Sequence, residues 1–253
     1  MPVTKEERED ALASACMQVK RVLPEFTTKF QNAYSENGFY RPIDNVEWTT
    51  GFWTGEIWLA YEYGGEDVLL KAAEIQMQDF LHRIEQKICV DHHDMGFLYT
   101  PSCVAGYKLT GSGTGKRAAL LAADQLKSRF QEKGEFIQAW GTMGEPENYR
   151  LIIDCLLNVP LLYWASQETG DESYRQIADR HVHTTLENVI RPDFSTWRRT
   201  SYKSALQIAA ATLLPPFLPR FTIHGTSVCR IISFATSTLT KPVSYTHLTL
   251  PTT

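Results

Sequence analysis

Asp154 stands in a setting that is hard to explain without chemistry. It interrupts an apolar run, Leu151-Ile152-Ile153-Asp154-Cys155-Leu156-Leu157-Asn158-Val159, that is typical of a buried helix. Asn158 follows four residues later, on the same face of such a helix. Burying an unpaired carboxylate is costly, or it raises the pKa until the group holds a proton. Asp154 is therefore either a structural group satisfied by hydrogen bonds or a general acid.

A second polar cluster, Asp91-His92-His93-Asp94, comes directly before an apolar segment that begins at Met95. Three interpretations are open from the residues alone. Asp94 caps a helix that begins at Met95, or Asp94 and its neighbours act as general acid/base or sugar-binding groups, or the two histidines ligate a metal ion. Neighbouring side chains rarely converge on one ion, which counts against the metal.

Three tryptophans lie in a dense aromatic segment, Trp48-Thr49-Thr50-Gly51-Phe52-Trp53-Thr54-Gly55-Glu56-Ile57-Trp58. Steps of five residues rotate by about 140° around a helix, so the three rings cannot all face one side. At least one of them is expected to point away from the core. We expect Trp58 to pack in the core and take Trp53 as the candidate platform for a sugar ring.

The glycine-rich segment from Gly111 to Arg117 invites comparison with a phosphate-binding loop. The comparison fails because Thr110 stands where the first Gly is required and Arg117 where Ser or Thr is required. No strand is predicted before it. The segment therefore predicts a turn between two helices.

The elements that must position these residues are predicted to be helices. Seven segments carry apolar residues at helical spacing and are bounded by Gly, Pro, Asp or Ser. One short strand is predicted, at 136–140. The predicted helices cover residues 6–31, 51–63, 67–86, 95–109, 115–133, 149–167 and 172–189.

A weak internal repeat organises these helices. In each copy a Gly ends one helix in a left-handed conformation, the next residue caps or begins the following helix, and a small Ala allows close packing. Hairpins that recur in this way form an open solenoid or a closed α/α toroid, and the irregular spacing and aromatic first helices favour the toroid. The copies are Gly65-Glu66 with Ala73, Gly111-Ser112 with Ala119, and Gly170-Asp171 with Ala178.

The charge of the chain changes abruptly near residue 197. The whole chain has 29 acidic and 25 basic residues, and its net charge is −4. Residues 197–253 contain six basic residues and no acidic one, so residues 1–196 carry 25 − 6 = 19 basic against 29 acidic residues, a net charge of −10. The basic residues are scattered, unlike those of a nucleic-acid-binding extension. We therefore expect 197–253 to be a foreign tail, frameshifted or adapter-derived, joined to the N-terminal part of a domain in 1–196.

Composition points to a cytoplasmic protein that binds neither membrane nor nucleic acid. The five cysteines show no paired spacing, which indicates reduced thiols. The charged N-terminus lacks the apolar segment of a secretory signal, and no run of about 18 apolar residues is present.

Four motifs resemble, in order and spacing, those of glycoside hydrolase family 88, the unsaturated glucuronyl hydrolases. The resemblance runs from about residue 40 to 196. It implies a bacterial protein whose fold is an (α/α)6 barrel of six helical hairpins. It also implies the substrate, the unsaturated uronic-acid oligosaccharides that polysaccharide lyases release from polymers such as glycosaminoglycans. The motifs are Asn45-Val46-Glu47-Trp48-Thr49-Thr50-Gly51-Phe52-Trp53-Thr54-Gly55, His92-His93-Asp94-Met95-Gly96-Phe97, Ile153-Asp154-Cys155-Leu156-Leu157-Asn158 and Arg191-Pro192-Asp193-Phe194-Ser195-Thr196.

The resemblance implies a role for each candidate. Asp154 matches the residue that protonates C4 of the C4=C5 double bond and activates the water that adds at C5. Asp94 matches a second essential Asp, which orients the substrate and stabilises positive charge. Trp53 matches a residue beside the unsaturated ring and His93 a residue lining the site, and Asn158 joins them as a substrate-binding candidate. No metal or organic cofactor is implied.

The sequence also departs from the family pattern. Arg198 stands about where the family has a substrate-contacting His, and about seven of the twelve helices of a complete barrel are predicted. We therefore expect the chain as written to be an inactive fragment of a working enzyme. The alternatives are a non-catalytic helical-repeat module that binds carbohydrate or protein, and a metal-dependent hydrolase that uses His92 and His93.

Overall fold

The computed structural model describes residues 3–191, 195 and 199–201, and these form a largely helical structure. The helices are α1 (Lys5–Phe26), α2 (Thr50–Gly64), α3 (Asp67–Glu85), α4 (Met95–Tyr99), α5 (Ala105–Thr110), α6 (Gly113–Lys127), α7 (Val159–Thr169) and α8 (Glu172–Val189). A π-helical turn at Thr100–Val104 joins α4 to α5, and 3₁₀ turns lie at Pro146–Asn148 and Ile153–Leu157. The strands are β1 (Phe30–Glu36), β2 (Phe39–Ile43), β3 (Phe130–Gln131), β4 (Phe136–Ile137), β5 (Arg150–Ile152) and β6 (Arg199–Ser201).

Since α4, the π-helical turn and α5 follow without a break, the described residues form seven helical rods, the number predicted from the sequence. Helix α2 packs on α3, α3 on α6, and α7 on α8. Two-residue connections join α2 to α3, α5 to α6 and α7 to α8, so the two helices of each of these hairpins are antiparallel neighbours. Except for β6, the predicted foreign segment 197–253 lies outside the described residues, and its boundary stays a prediction.

The three copies of the internal repeat are confirmed as tight turns between helices. Gly65, Gly111 and Gly170 have φ of 67°, 73° and 76° and end α2, α5 and α7. The Ser112 hydroxyl and the Asp171 carboxylate accept hydrogen bonds from the first turn of the next helix, whereas the Glu66 side chain makes no such bond. The glycine-rich segment at Gly111 is thus a helix–helix turn, as expected.

The alanine of each repeat copy is fully buried: Ala73, Ala119 and Ala178. A methyl side chain at these positions lets the second helix of each hairpin lie close to its neighbour. The repeat in the sequence therefore corresponds to a repeated packing contact as well as a repeated turn.

A β-hairpin replaces the end of the first predicted helix. Helix α1 stops at Phe26, and β1 pairs with β2 in an antiparallel ribbon. Asn37 and Gly38 both have positive φ (52° and 79°), as a two-residue hairpin turn requires. The Asn-Gly pair is the sequence signal for this hairpin, and the prediction of helix to residue 31 overlooked it.

The helix predicted over 149–167 is wrong in its first half. Residues 150–152 form β5, a 3₁₀ turn carries Asp154, and α7 begins only at Val159. Pro160 lies in the first turn of α7. Because proline has no N–H and its ring clashes with the carbonyl four residues earlier, a helix running through Asp154 cannot continue past this position without a break. Asp154 is therefore part of an irregular connection.

The core follows the helix interfaces. Trp58 is buried, as expected, and its Nε1 donates to the Ser102 carbonyl oxygen at 2.8 Å. The four cysteines within the described residues are unpaired. None of the described helices has the length and hydropathy needed to cross a membrane.

Candidate active site

Asp94 and Asp154 come together although they lie on different connections of the chain. One oxygen of each carboxylate and one ring nitrogen of His93 lie within 4.8 Å of one another. Asp94 is mostly buried, and the side chain of Asp154 is 37% exposed. The structure thus places three of the five predicted site residues in one cluster, which we call the carboxylate pair with its histidine.

Asp94 does not cap α4, although the helix begins at Met95 as predicted. Its carboxylate makes no hydrogen bond to the N–H groups of that helix. Its Oδ1 lies 3.3 Å from Nε2 of His93 instead. His92 stands beside it and donates from Nε2 to the Cys89 carbonyl at 2.9 Å, while its Nδ1 accepts the Asp94 N–H at 3.2 Å. The second carboxylate oxygen of Asp94, Oδ2, lies 3.0 Å from Nδ1 of His92.

His93 is a neutral, buried histidine. Its backbone N–H donates to the Ala139 carbonyl oxygen at 2.7 Å, which fixes it beside the connection between β4 and β5. Burial lowers the pKa of His93 to about 4, against the opposing effect of the Asp94 charge. At neutral pH its contacts with Asp94 (3.3 Å) and Asp154 (3.7 Å) are therefore not ion pairs.

Asp154 has the electrostatic environment that the sequence predicted, in a different local structure. Its Oδ1 is buried and has no hydrogen-bond partner among the described residues. Burial, followed by the negative charge of Asp94, raises the pKa of Asp154 to about 6. Such a group holds a proton at mildly acidic pH and releases it near neutral pH, as a general acid/base must.

Asn158 positions the cluster from inside the protein. It is buried, and its Oδ1 accepts the Phe97 N–H at 3.0 Å. A Cβ at Gly96 would lie 2.2 Å from Cα of Asn158, so the backbone of α4 passes directly against the start of α7. The expectation that Asn158 contacts substrate is corrected, because only 1% of the residue is exposed.

Trp53 is also buried rather than presented to a ligand. It is 2% exposed, its Nε1 donates to the Phe26 carbonyl at 3.0 Å, and its ring meets the Phe26 ring edge-on at 5.7 Å. The prediction of a ring platform at Trp53 is therefore wrong. The end of α1 covers this face of α2, and no sequence pattern indicated that contact.

Three other aromatic side chains, none of them a predicted site residue, are exposed near the carboxylate pair. Trp48 and Phe52 each contact the ring of Phe97, at 5.7 and 5.4 Å between ring centroids, three residues after Asp94. Trp140 forms an isolated β-bridge with His92. The three side chains are 40–41% exposed. Of the three tryptophans, the one that points outward is Trp48, which lies before the start of α2, whereas Trp53 and Trp58 on α2 are both buried.

A buried arginine holds the connection that carries Trp140. Arg129 donates to the carbonyl oxygens of Gln138 at 2.9 Å and Gly141 at 3.1 Å, and it pairs with the carboxylate of Asp91. This single side chain ties the start of the Asp91–Asp94 motif to the aromatic loop. The sequence does not indicate that Arg129 is buried, because an exposed Arg just after α6 would have the same sequence pattern.

The model of the family described as Glycosyl Hydrolase Family 88 matches residues 18–212. The chain belongs to this family. The match continues beyond residue 197, where the charge of the sequence changes. The four family-88 motifs quoted above all lie inside the matched residues.

Relatives of the family share both sequence and fold with the chain. It is 49% identical over 195 residues to the unsaturated chondroitin disaccharide hydrolase of Streptococcus pneumoniae, covering 77% of this chain and 49% of that protein. The crystal structure of an unsaturated glucuronyl hydrolase from Streptococcus agalactiae matches with a TM-score of 0.78 and 46% identity, covering 79% of this chain and 51% of that one. A mutant of that enzyme complexed with dGlcA-GalNAc6S matches with a TM-score of 0.69 and 39% identity, covering 78% and 47%.

The described residues accordingly form part of the (α/α)6 barrel of this family, as the sequence predicted. The chain spans about half the length of the curated relatives it matches.

Proposed function

We propose that the protein carrying this chain hydrolyses unsaturated uronyl oligosaccharides by hydrating their C4=C5 double bond, with Asp154 as general acid and base. The observation that carries the proposal is the carboxylate pair. The pKa of Asp154 is raised to about 6, and one oxygen of its carboxylate lies within 4.8 Å of a carboxylate oxygen of Asp94. Membership of the family and the names of the relatives supply the reaction class.

The chemistry follows from a proton that Asp154 first gives and then recovers. Protonated Asp154 transfers its proton to C4, and positive charge develops at C5 and the ring oxygen. Water then adds at C5 and returns a proton to the Asp154 carboxylate. The hemiketal opens to a ketone, and the hemiacetal formed at C1 expels the neighbouring sugar. One water is consumed, and Asp154 ends as it began.

Asp94 is suited to stabilise the cationic stage. A carboxylate within 4.8 Å of the proton donor supplies negative charge where the oxocarbenium-like centre forms. Ordinary inverting glycosidases separate their two carboxyl groups by about 6.5–9.5 Å to admit a water between them. The shorter separation here agrees with Asp154 as the acid/base and Asp94 as a group that stabilises charge.

The exposed aromatics are suited to hold the unsaturated ring. Exposed aromatic faces are available near the carboxylate pair on Trp48, Phe52 and Trp140. Sugar rings stack on such faces. The names of the relatives favour a disaccharide from chondroitin as the substrate, within bacterial glycosaminoglycan degradation. The partner is therefore a small oligosaccharide, and no nucleic acid or membrane is part of the proposal.

The test is made on the full-length protein that carries this chain, because the chain as written is expected to be inactive. It measures the loss of the ultraviolet absorbance of the double bond when that protein meets an unsaturated chondroitin disaccharide. We expect Asp154→Asn to reduce the rate by about 10³-fold, because the amide neither gives nor takes the proton. Asp44→Asn, on the surface and paired with Lys29, is the matched control and is expected to retain full activity. Equal rates in Asp154→Asn and the parent protein would overturn the proposal.

Two other results would favour the alternatives. Binding of the disaccharide that quenches tryptophan fluorescence equally in Asp154→Asn and the parent, without turnover in either, would favour a carbohydrate-binding module. Loss of activity on treatment with a chelator, restored by a divalent metal, would favour a metal-dependent hydrolase. In that case His93, Asp94 and Asp154, whose donor atoms lie within 4.8 Å, would be the ligands to test.

A further inference from the structure

His181, in α8, is a fully buried histidine to which the proposed reaction assigns no role. Its Nδ1 accepts the Ile137 N–H at 3.0 Å, so that nitrogen carries no proton. Burial lowers the pKa of His181 to about 3, and the ring is neutral. Its one ring proton must then lie on Nε2. This Nε2 is buried and has no hydrogen-bond partner among the described residues.

His93 has a ring nitrogen that needs a donor, whereas Nε2 of His181 needs an acceptor. Its Nε2 faces the Asp94 and Asp154 carboxylates at 3.3 and 3.7 Å, and carboxylate oxygens accept hydrogen bonds, so the favourable tautomer carries its proton on Nε2. Its Nδ1 is then a bare acceptor. This atom is buried and also has no hydrogen-bond partner among the described residues.

The two histidines are attached to the same edge of β4 and the residues after it. His181 bonds to the N–H of Ile137, and His93 donates its backbone N–H to the carbonyl of Ala139, two residues further. In an extended chain, residues i and i+2 direct their N–H and C=O groups to the same side, about 7 Å apart. An orphaned donor and an orphaned acceptor are therefore anchored to the same side of one buried segment, and His93 is close enough for its charge to help lower the pKa of His181.

A third unsatisfied group lies on the same face of α8. The Thr184 hydroxyl, one helical turn after His181, is fully buried and has no hydrogen-bond partner among the described residues. A buried water typically makes about three hydrogen bonds to polar groups that lack other partners. His181 Nε2–H, His93 Nδ1 and Thr184 Oγ1 provide that set.

We propose that His181, through one buried water shared with Thr184, fixes the tautomer of His93 and so makes His93 an N–H donor to the carboxylate pair. A chain of donors then runs from the Ile137 N–H through His181 and the water to His93, whose Nε2–H faces the Asp94 carboxylate at 3.3 Å. In the other tautomer, His93 would turn a lone pair toward two carboxylates. His181 is thus a positioning residue, whose catalytic effect rests on the proposed function but whose effect on the tautomer does not.

The test is nitrogen NMR of the full chain labelled with ¹⁵N-histidine, at pH 7, where two-bond N–H correlations distinguish the two neutral tautomers. The chain has seven histidines, and His93→Gln and His181→Gln identify the two sets of signals. We expect both histidines of the parent protein to carry the proton on Nε2. Observation of His93 with its proton on Nδ1 would overturn the proposal without any variant.

Two substitutions separate the two functions of the His181 ring. His181→Asn keeps an acceptor for the Ile137 N–H and removes the donor toward His93, so we expect His93 to become a mixture of both tautomers. His181→Gln places an amide N–H near the former Nε2 and is expected to restore the parent tautomer. An unchanged His93 spectrum in folded His181→Asn would contradict the proposal. If that variant does not fold, the parent spectrum and His181→Gln decide the question.

Turnover distinguishes this inference from the proposed function. With the unsaturated disaccharide, His181→Asn should lower kcat by about tenfold with little change in KM, because only the orientation of the donor is lost. A full-length parent protein whose histidines have the expected tautomers but which shows no turnover would refute the reaction and leave the histidine arrangement standing. Full turnover in a His181→Asn protein with mixed His93 tautomers would show that the arrangement does not act on the reaction.

Discussion

At one end of the helical hairpins the chain reverses within two residues, and at the other end it runs through long connections at 27–49, 86–94 and 128–158. The tight turns repeat one solution, a left-handed Gly followed by the start of the next helix. The long connections differ from one another, with a β-hairpin in the first and strands and 3₁₀ turns in the last. Asp94, Asp154, Trp48 and Trp140 all lie in the long connections.

The two ends also treat their carboxylates in opposite ways. Asp171, at a tight turn, has its pKa lowered by hydrogen bonds from Ser173, so its charge stabilises the helix that follows. Asp154, at the other end, has its pKa raised by burial and by Asp94. The carboxylate at a tight turn thus stabilises the fold. The carboxylate in a long connection is destabilised in its charged form, which leaves it able to transfer a proton.

The largest expected difference between the ends comes from two glycines in helices. We expect Gly96→Ala to destabilise the protein by about 3 kcal/mol or more, because its Cβ would lie 2.2 Å from backbone Cα of Asn158 and the backbone cannot move aside cheaply. Gly113→Ala, where nothing lies within 4 Å of the new Cβ, is the matched control and should be neutral or slightly stabilising. Urea unfolding followed by circular dichroism measures both, and similar losses would remove the distinction.

Substitution of Asp154 is expected to have a smaller effect on the free energy of unfolding, and this effect is stabilising. Its folded-state pKa, about 6, lies above the ordinary value of 3.8, so protonation favours the folded state and stability is lost as pH rises from about 4 to 6. Asp154→Asn removes this penalty and should stabilise the protein at pH 7. The gain should be about 1–2 kcal/mol, less than the full two-unit shift would give, because the side chain is 37% exposed.

The pH dependence of the melting temperature checks this prediction. Asp154→Asn should melt above the parent at pH 7, and the difference should vanish near pH 4. Asp171→Asn is the control from the turn end. Its pKa is lowered, so its contribution is present at neutral pH and is lost as pH falls, and its substitution should not raise the melting temperature. A destabilised Asp154→Asn protein at pH 7 would show that the carboxylate is structural.

The smallest expected effect is at the tight turns. Gly170→Ala places a Cβ in open space but forces an L-residue to a φ of 76°, which costs about 1 kcal/mol. Activity should be unchanged, since the turn lies at the end away from the carboxylate pair. Thermal unfolding and the disaccharide assay together measure it. A loss as large as that of Gly96→Ala, or a loss of activity without unfolding, would break the comparison between the ends.

Sequence reasoning succeeded where the determinant is local. The helix at 172–189 has the predicted bounds, and the three Gly turns have the predicted conformation, because capping and left-handed glycine depend on neighbouring residues. It failed at Trp53 and at the helix drawn through Asp154. Burial of Trp53 depends on the end of α1, and the break before α7 depends on Pro160, a local signal that the apolar pattern outweighed.

The sequence by itself determined the helical hairpins and the family resemblance and supplied the two candidate carboxylates, since each depends on short motifs. Only the tertiary structure decided which tryptophan is exposed, that Asn158 supports α4 from within, and that His181 is buried and accepts the Ile137 N–H. These depend on contacts between segments far apart in the chain, which no spacing along it records. The pKa of Asp154 belongs to both levels, because an apolar run predicts burial but only folding brings Asp94 beside it.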